Sequence, residues 1–175
     1  KGFFIKRSVE GARKAYAAVV QSSKYIRDSI QSGHSIWIAQ REGRSKNGLD
    51  LTDPAIIKMF VLADRKKPLS EVIDGLNIVP LSISYEFDPC DTLKASELGE
   101  IEKDSSYQKP LGEDLLSLVK GLSGQKGKII LRLGTRLSGF FNSPEEVAAE
   151  IDRQIISNLQ LFPVNHWALS RLRMR

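Results

Sequence analysis

The chain has 175 residues, 41% of them hydrophobic and 27% charged, with a formal net charge of +5. That composition describes a globular protein with enough chain to bury a core, and it excludes disordered and collagen-like classes. The cationic excess favours anionic partners such as nucleic acid, phosphorylated metabolites or a membrane surface, without choosing among them.

The lone cysteine, Cys90, excludes an internal disulfide and fits a reducing compartment. Flanked by Asp88 and Asp91, it sits where an activated nucleophile is not expected. One cysteine and two distant histidines, His34 and His166, assemble no metal set, so neither metal nor cofactor is expected. No apolar run approaches the length of a membrane span, and no signal-peptide pattern is present.

In chain order, Gly2–Lys6 reads as a short strand ending in the cations Lys6 and Arg7. It starts as a strand entered partway, so the chain is expected to belong to a longer protein. Residues 9–31 then carry apolar positions at helical spacing, with Ser8 as the N-cap, Gly33 as the stop and His34 at the helix end. A buried strand over Ser35–Ala39 follows, placing Trp37 in the core. It breaks into Gln40-Arg41-Glu42-Gly43-Arg44-Ser45-Lys46, a cation-rich loop whose Gly43 lets a ligand approach the backbone. Alone, that loop is as well explained by a solvated turn as by a phosphate site.

Thr52-Asp53-Pro54 predicts a helix start, with Ala55, Ile56, Met59, Phe60 and Leu62/Ala63 as the apolar face. Another helical turn over 69–75 leads to a buried strand over 76–85, where Pro80 marks an edge, bulge or entry position. Helices are predicted over 91–104 and 111–122, a strand over 128–133, and a capped helix from Asn142-Ser143-Pro144 to about Leu161. The tail 162–175 shows no clear period and is basic through Arg171, Arg173 and Arg175. Alternating strands and helices predict one α/β domain over 1–175 with a largely parallel central sheet flanked by helices. Parallel strands deliver their C-terminal loops to one rim. Lys6, Arg7, Arg41, Arg44 and Lys46 would then share that rim, which favours an anion site over a solvated turn.

Three ordered blocks resemble the glycerophospholipid acyltransferase family. Gly2-Phe3-Phe4-Ile5-Lys6-Arg7 is similar to its Gly-x-Ile/Phe-Phe-Ile-x-Arg block, and Glu42-Gly43-Arg44-Ser45 to the heart of its Phe-Pro-Glu-Gly-Thr-Arg-Ser block. Ile78-Val79-Pro80-Leu81-Ser82-Ile83 is similar to its Val-Pro-Val strand. Arg41 stands where the family usually has proline, and one residue fewer separates Gly43 from Arg44. The resemblance covers 2–84; residues 85–175 match only in their strand-and-helix rhythm.

The resemblance implies transfer of an acyl group from acyl-CoA or acyl-carrier protein to glycerol 3-phosphate or 1-acylglycerol 3-phosphate. Arg7 and Arg44 would hold the acceptor phosphate, with Lys6 and Arg41 adding field. Glu42 would orient an arginine or a glycerol hydroxyl, Gly43 allow close approach, Ser45 complete the cluster, and Pro80 be structural. The family's His-x-x-x-x-Asp block, which supplies the base, is absent here and expected upstream. The domain is therefore expected to be incomplete at its N-terminus and inactive by itself. A cytoplasmic enzyme, peripheral at the inner face of an anionic membrane, is the setting implied. The alternative is a non-catalytic basic module binding anionic lipid or nucleic acid. Nucleic acid is disfavoured because Trp37, Phe3 and Phe4 are expected in core strands rather than among exposed cations.

Overall fold

The structure, a computed structural model, describes residues 10–41, 48, 51–108, 110 and 112–174. Helix α1 (Ala12–Gln31) starts after Gly11 and presents Val19, Ile26 and Ile30 to the core. The expected first strand and the Ser8 cap lie outside the described residues. At its other end, Gly33 takes φ 80°, which only glycine adopts without strain. Its N–H then donates to Ile30 O and that of His34 to Ser29 O, both at 2.9 Å, closing the orphan carbonyls of the last turn. Within the helix Ser23 is fully buried. Its hydroxyl donates to Phe60 O (3.1 Å) and accepts from Ala63 N–H (2.8 Å), fastening α1 to the end of the next helix.

That helix is α2 (Pro54–Val61), with Pro54 at the first position and the Asp53 carboxylate accepting from Ala55 N–H at 2.9 Å. A 3-10 turn (Leu62–Asp64) follows, then α3 (Leu69–Leu76), which stops where Asn77 turns left-handed at φ 50°. The apolar face of α2 differs from expectation by one step. Ala55 is exposed, while Ile57 is 0% exposed and packs beside Met59 and Phe60. Helix α6 (Pro144–Asn158) starts as predicted, Ser143 Oγ accepting from Glu146 N–H at 3.2 Å, but ends short of Leu161. It adds Val147, Ala148 and Ile151 to Val72, Ile73 and Leu76 of α3 and to Leu137. Together with α1 and α2 these form the core of one compact unit. Burying one such isoleucine stabilises by about 1.5–3 kcal/mol.

On the α6 surface Arg153 donates twice to Glu150 at 2.7 Å, and Gln154 once at 2.8 Å. Mainly through the Arg153 hydrogen bonds, the Glu150 carboxyl falls from 4.5 to about 2. Its folded value lies below its unfolded one, so the stabilisation is complete above about pH 4.5 and lost as pH falls to about 2. Arg153 is 63% exposed, so solvent screening keeps the pair's contribution small. The difference in melting temperature between parent and Glu150→Gln is expected to vanish across that window. Persistence at pH 2 would contradict the pairing.

A second compact unit holds α4 (Asp91–Lys103), α5 (Glu113–Ser123), α7 (Pro163–Arg173) and the sheet. Strand β1 (Leu81–Tyr85) pairs antiparallel with β2 (Ile129–Leu133), Leu81 opposite Leu133 and Tyr85 opposite Ile129. This two-stranded antiparallel ribbon is the sheet that the described residues form, in place of the largely parallel sheet predicted from alternation. The stretch 34–39 carries no strand, because a strand needs a ladder partner and none is present among the described residues. The architecture is mixed α/β and mostly helical. Helix α7 occupies a tail in which the sequence showed no period.

Several apolar side chains in this unit are left exposed. Ser82 and Ser84 are the buried residues of β1, while Ile129, Leu131 and Leu133 of β2 are exposed. Helix α5 turns Ser117 and Gly121 toward Cys90, whose Sγ lies 3.3 Å from Ser117 O, and leaves Leu115, Leu116, Leu118, Val119 and Leu122 exposed. Between α5 and β2, Gly127 has φ 62°, and a Cβ there would sit 2.6 Å from Glu86 Oε2 and 2.8 Å from Phe87 Cδ2. Glycine is needed there twice over, for the angle and for the space.

Candidate functional site

The site is read from the loop after Trp37 and from the elements that hold its ends. Ile36 and Ile38 pack against the first unit's core, whereas Trp37 between them is 78% exposed. The period of two survives without a ladder, but it points the tryptophan outward, correcting its expected place in the core. This removes the objection to nucleic acid that rested on a buried Trp37. The expected core strand carrying Phe3 and Phe4 lies outside the described residues.

The two ends of the cation-rich segment meet: Asp53 N–H donates to Gln40 O at 2.9 Å. Next to that closure Thr52 is buried, and its N–H (2.8 Å) and hydroxyl (2.6 Å) both donate to one oxygen of Asp152 on α6. Gln40 and Thr52–Asp53, which flank the cation-rich segment, are thus held by hydrogen bonds within the first unit. The Asp152–Thr52 pair is a hold that reading the sequence did not find. Its signal is a contact across 100 positions, which no local pattern carries.

Asp152→Ala strips both donors of Thr52 of their acceptor, and about 1–3 kcal/mol of stability is expected to go with it. Asp152→Asn keeps the oxygen and should recover at least half of the loss in a urea melt. Equal losses in the two variants would show that the hydrogen bonds are not what matters there.

Of the residues singled out from the sequence, Arg41 is exposed at the start of the loop. Lys6, Arg7, Glu42, Gly43, Arg44 and Ser45 lie outside the described residues, as does Lys46. Pro80 is buried immediately before β1, and its carbonyl accepts from Gly134 N–H at 2.8 Å. That is the entry position among the three foreseen for it. Lacking an N–H, proline fits the first step of a ladder that uses only its carbonyl.

His34 is exposed, and its backbone N–H closes α1 as foreseen from its place at the helix end. His166 is exposed on α7, and Cys90 is 5% exposed at the start of α4. The Asp88 carboxylate beside it accepts from Cys90 N–H (2.8 Å) and from Lys94 Nζ (2.6 Å). Among the described residues, no helix is long and apolar enough to cross a membrane.

Comparison of the chain with family models, with curated proteins and with solved structures finds no match.

Proposed function

We propose that the complete protein transfers a fatty acyl group from acyl-CoA or acyl-carrier protein to glycerol 3-phosphate or 1-acylglycerol 3-phosphate in phospholipid synthesis. The observation that carries this reading is the order of three blocks, Gly2–Arg7, Glu42–Ser45 and Ile78–Ile83. The hydrogen-bonded flanks of the cation-rich segment support it, since an acceptor phosphate must be held while its hydroxyl meets the thioester carbon. In this reading Arg7 and Arg44 grip the phosphate, Lys6 and Arg41 add positive field, and Glu42 orients an arginine or the glycerol. Gly43 permits close approach, and Ser45 completes the cluster.

The acceptor hydroxyl loses its proton to a histidine of an upstream His-x-x-x-x-Asp block. Its oxygen bonds to the thioester carbon, and the thiolate leaves with that proton. A largely parallel sheet, completed in the whole protein and covering the open apolar faces of β1 and β2, belongs to the same proposal. So does a peripheral position at the cytoplasmic face of an anionic membrane. The test is acyl transfer by the complete protein with either acceptor, compared with its Arg44→Ala variant. The present chain, without the base, is expected to transfer nothing.

Exposed Trp37, four residues before the exposed Arg41, favours a second reading, a non-catalytic basic module for nucleic acid or anionic lipid. Steeply salt-dependent oligonucleotide binding, with no acyl transfer by the complete protein, would select it.

A further inference from the structure

Helix α7 (Pro163–Arg173) has no buried residue, although Phe162 just before it is 5% exposed and anchors its start. The Phe162 N–H donates to Asn165 Oδ1 at 2.8 Å, and Pro163 occupies the first helical position. An isolated helix shorter than about 12–15 residues is marginal in water, so an 11-residue helix with nothing buried calls for a surface to lie on. Its chemistry says which surface. Trp167, Leu172 and Met174 are 60%, 69% and 77% exposed, and the Arg171 guanidinium lies 5.4 Å from the Trp167 ring centre. After Asp152 the sequence contains no Asp or Glu, while Arg171, Arg173 and Arg175 follow. Among the described residues neither Arg171 nor Arg173 has an ion-pair partner.

We infer that α7 is a membrane-surface element, lying flat at the interface of an anionic bilayer. Trp167 and Met174, seven positions apart and so on one side of the helix, enter the headgroup boundary, and Arg171 and Arg173 meet lipid phosphates. An indole sits well at that boundary because its ring is apolar and its N–H polar. The arginines reach headgroup phosphates while their methylene stems stay in the apolar layer. The charge selects the occupant: a protein partner would need an acidic face to match, whereas an anionic leaflet supplies negative charge continuously. The inference rests on the membrane-surface part of the proposed function but needs no acyl transfer.

Trp37→Phe makes Trp167 the only tryptophan and thus a clean reporter. With vesicles of phosphatidylglycerol and phosphatidylcholine, its emission is expected to shift to the blue and become shielded from acrylamide. Pure phosphatidylcholine should give little of either. Arg171→Gln with Arg173→Gln should weaken partitioning roughly 25-fold, about fivefold for each charge near the surface. These exposed positions leave the fold intact, so the loss reports the surface.

Vesicle binding with Trp167 still in water would overturn the inference. So would equal binding by the double variant, or a blue shift without lipid that grows with protein concentration, which would mean a second copy covers the helix. A complete protein that docks this way yet transfers no acyl group removes the proposed chemistry and leaves α7 in place. Acyl transfer with Trp167 unshielded does the reverse.

Discussion

Replacing Arg44 with alanine in the complete protein is expected to lower kcat/KM for the glycerol phosphate acceptor by about 10- to 150-fold. The range follows from a charge-assisted hydrogen bond of about 1.5–3 kcal/mol, at 1.36 kcal/mol per tenfold. The KM for the acyl donor should hardly move, because the phosphate belongs to the acceptor. Arg44→Lys is expected to fall between, keeping the charge but losing the two-pronged fit of a guanidinium to phosphate. If the acceptor is bound equally in ground and transition states, the loss appears in KM. If the arginine also aligns the hydroxyl, it appears in kcat. An unchanged acceptor KM and kcat would remove the phosphate role of Arg44 and with it the reading of the loop.

Ile57→Ala is expected to destabilise the protein by about 2–5 kcal/mol, the cost of a cavity in a packed core. Ile57 is 0% exposed and lies among Met59, Phe60, Val72 and Ile73 of the first unit's core. Against a typical total stability of about 5–15 kcal/mol, such a loss brings the chain near its unfolding threshold. Trp37→Ala is the informative control. Trp37 is much the larger side chain, yet it is 78% exposed, so its removal should cost no more than about 0.5 kcal/mol. Chemical denaturation of the two variants separates the arrangements cleanly. A core tryptophan would reverse their order.

The ends of the helices were legible because their determinants are local. Gly33 closes α1, Asp53-Pro54 opens α2 and Ser143-Pro144 opens α6, each through hydrogen bonds that span a few residues. The cationic run after Gln40 is likewise a local pattern, since its charges and glycines adjoin in sequence, but residues 42–47 lie outside the described residues. Its resemblance to an acyltransferase block is equally a matter of adjacent residues. Helix α7 escaped because its period is broken by Asn165, His166 and Arg171, and only Pro163 marked a start.

By itself, then, the sequence determined where most segments begin and stop, that the chain is mixed α/β, and that positive charge gathers after residue 40. Tertiary structure decided which side of each segment faces inward. Periodicity shows that an apolar face exists, but the neighbour that covers it comes from elsewhere in the chain. For that reason Trp37 lies outside while Ile36 and Ile38 pack, and α5 turns Ser117 rather than its leucines toward Cys90. The antiparallel pairing of β1 with β2 and the hold of Asp152 on Thr52 are likewise choices of partner. Those choices are made by contacts between distant residues, whose energies no local window contains.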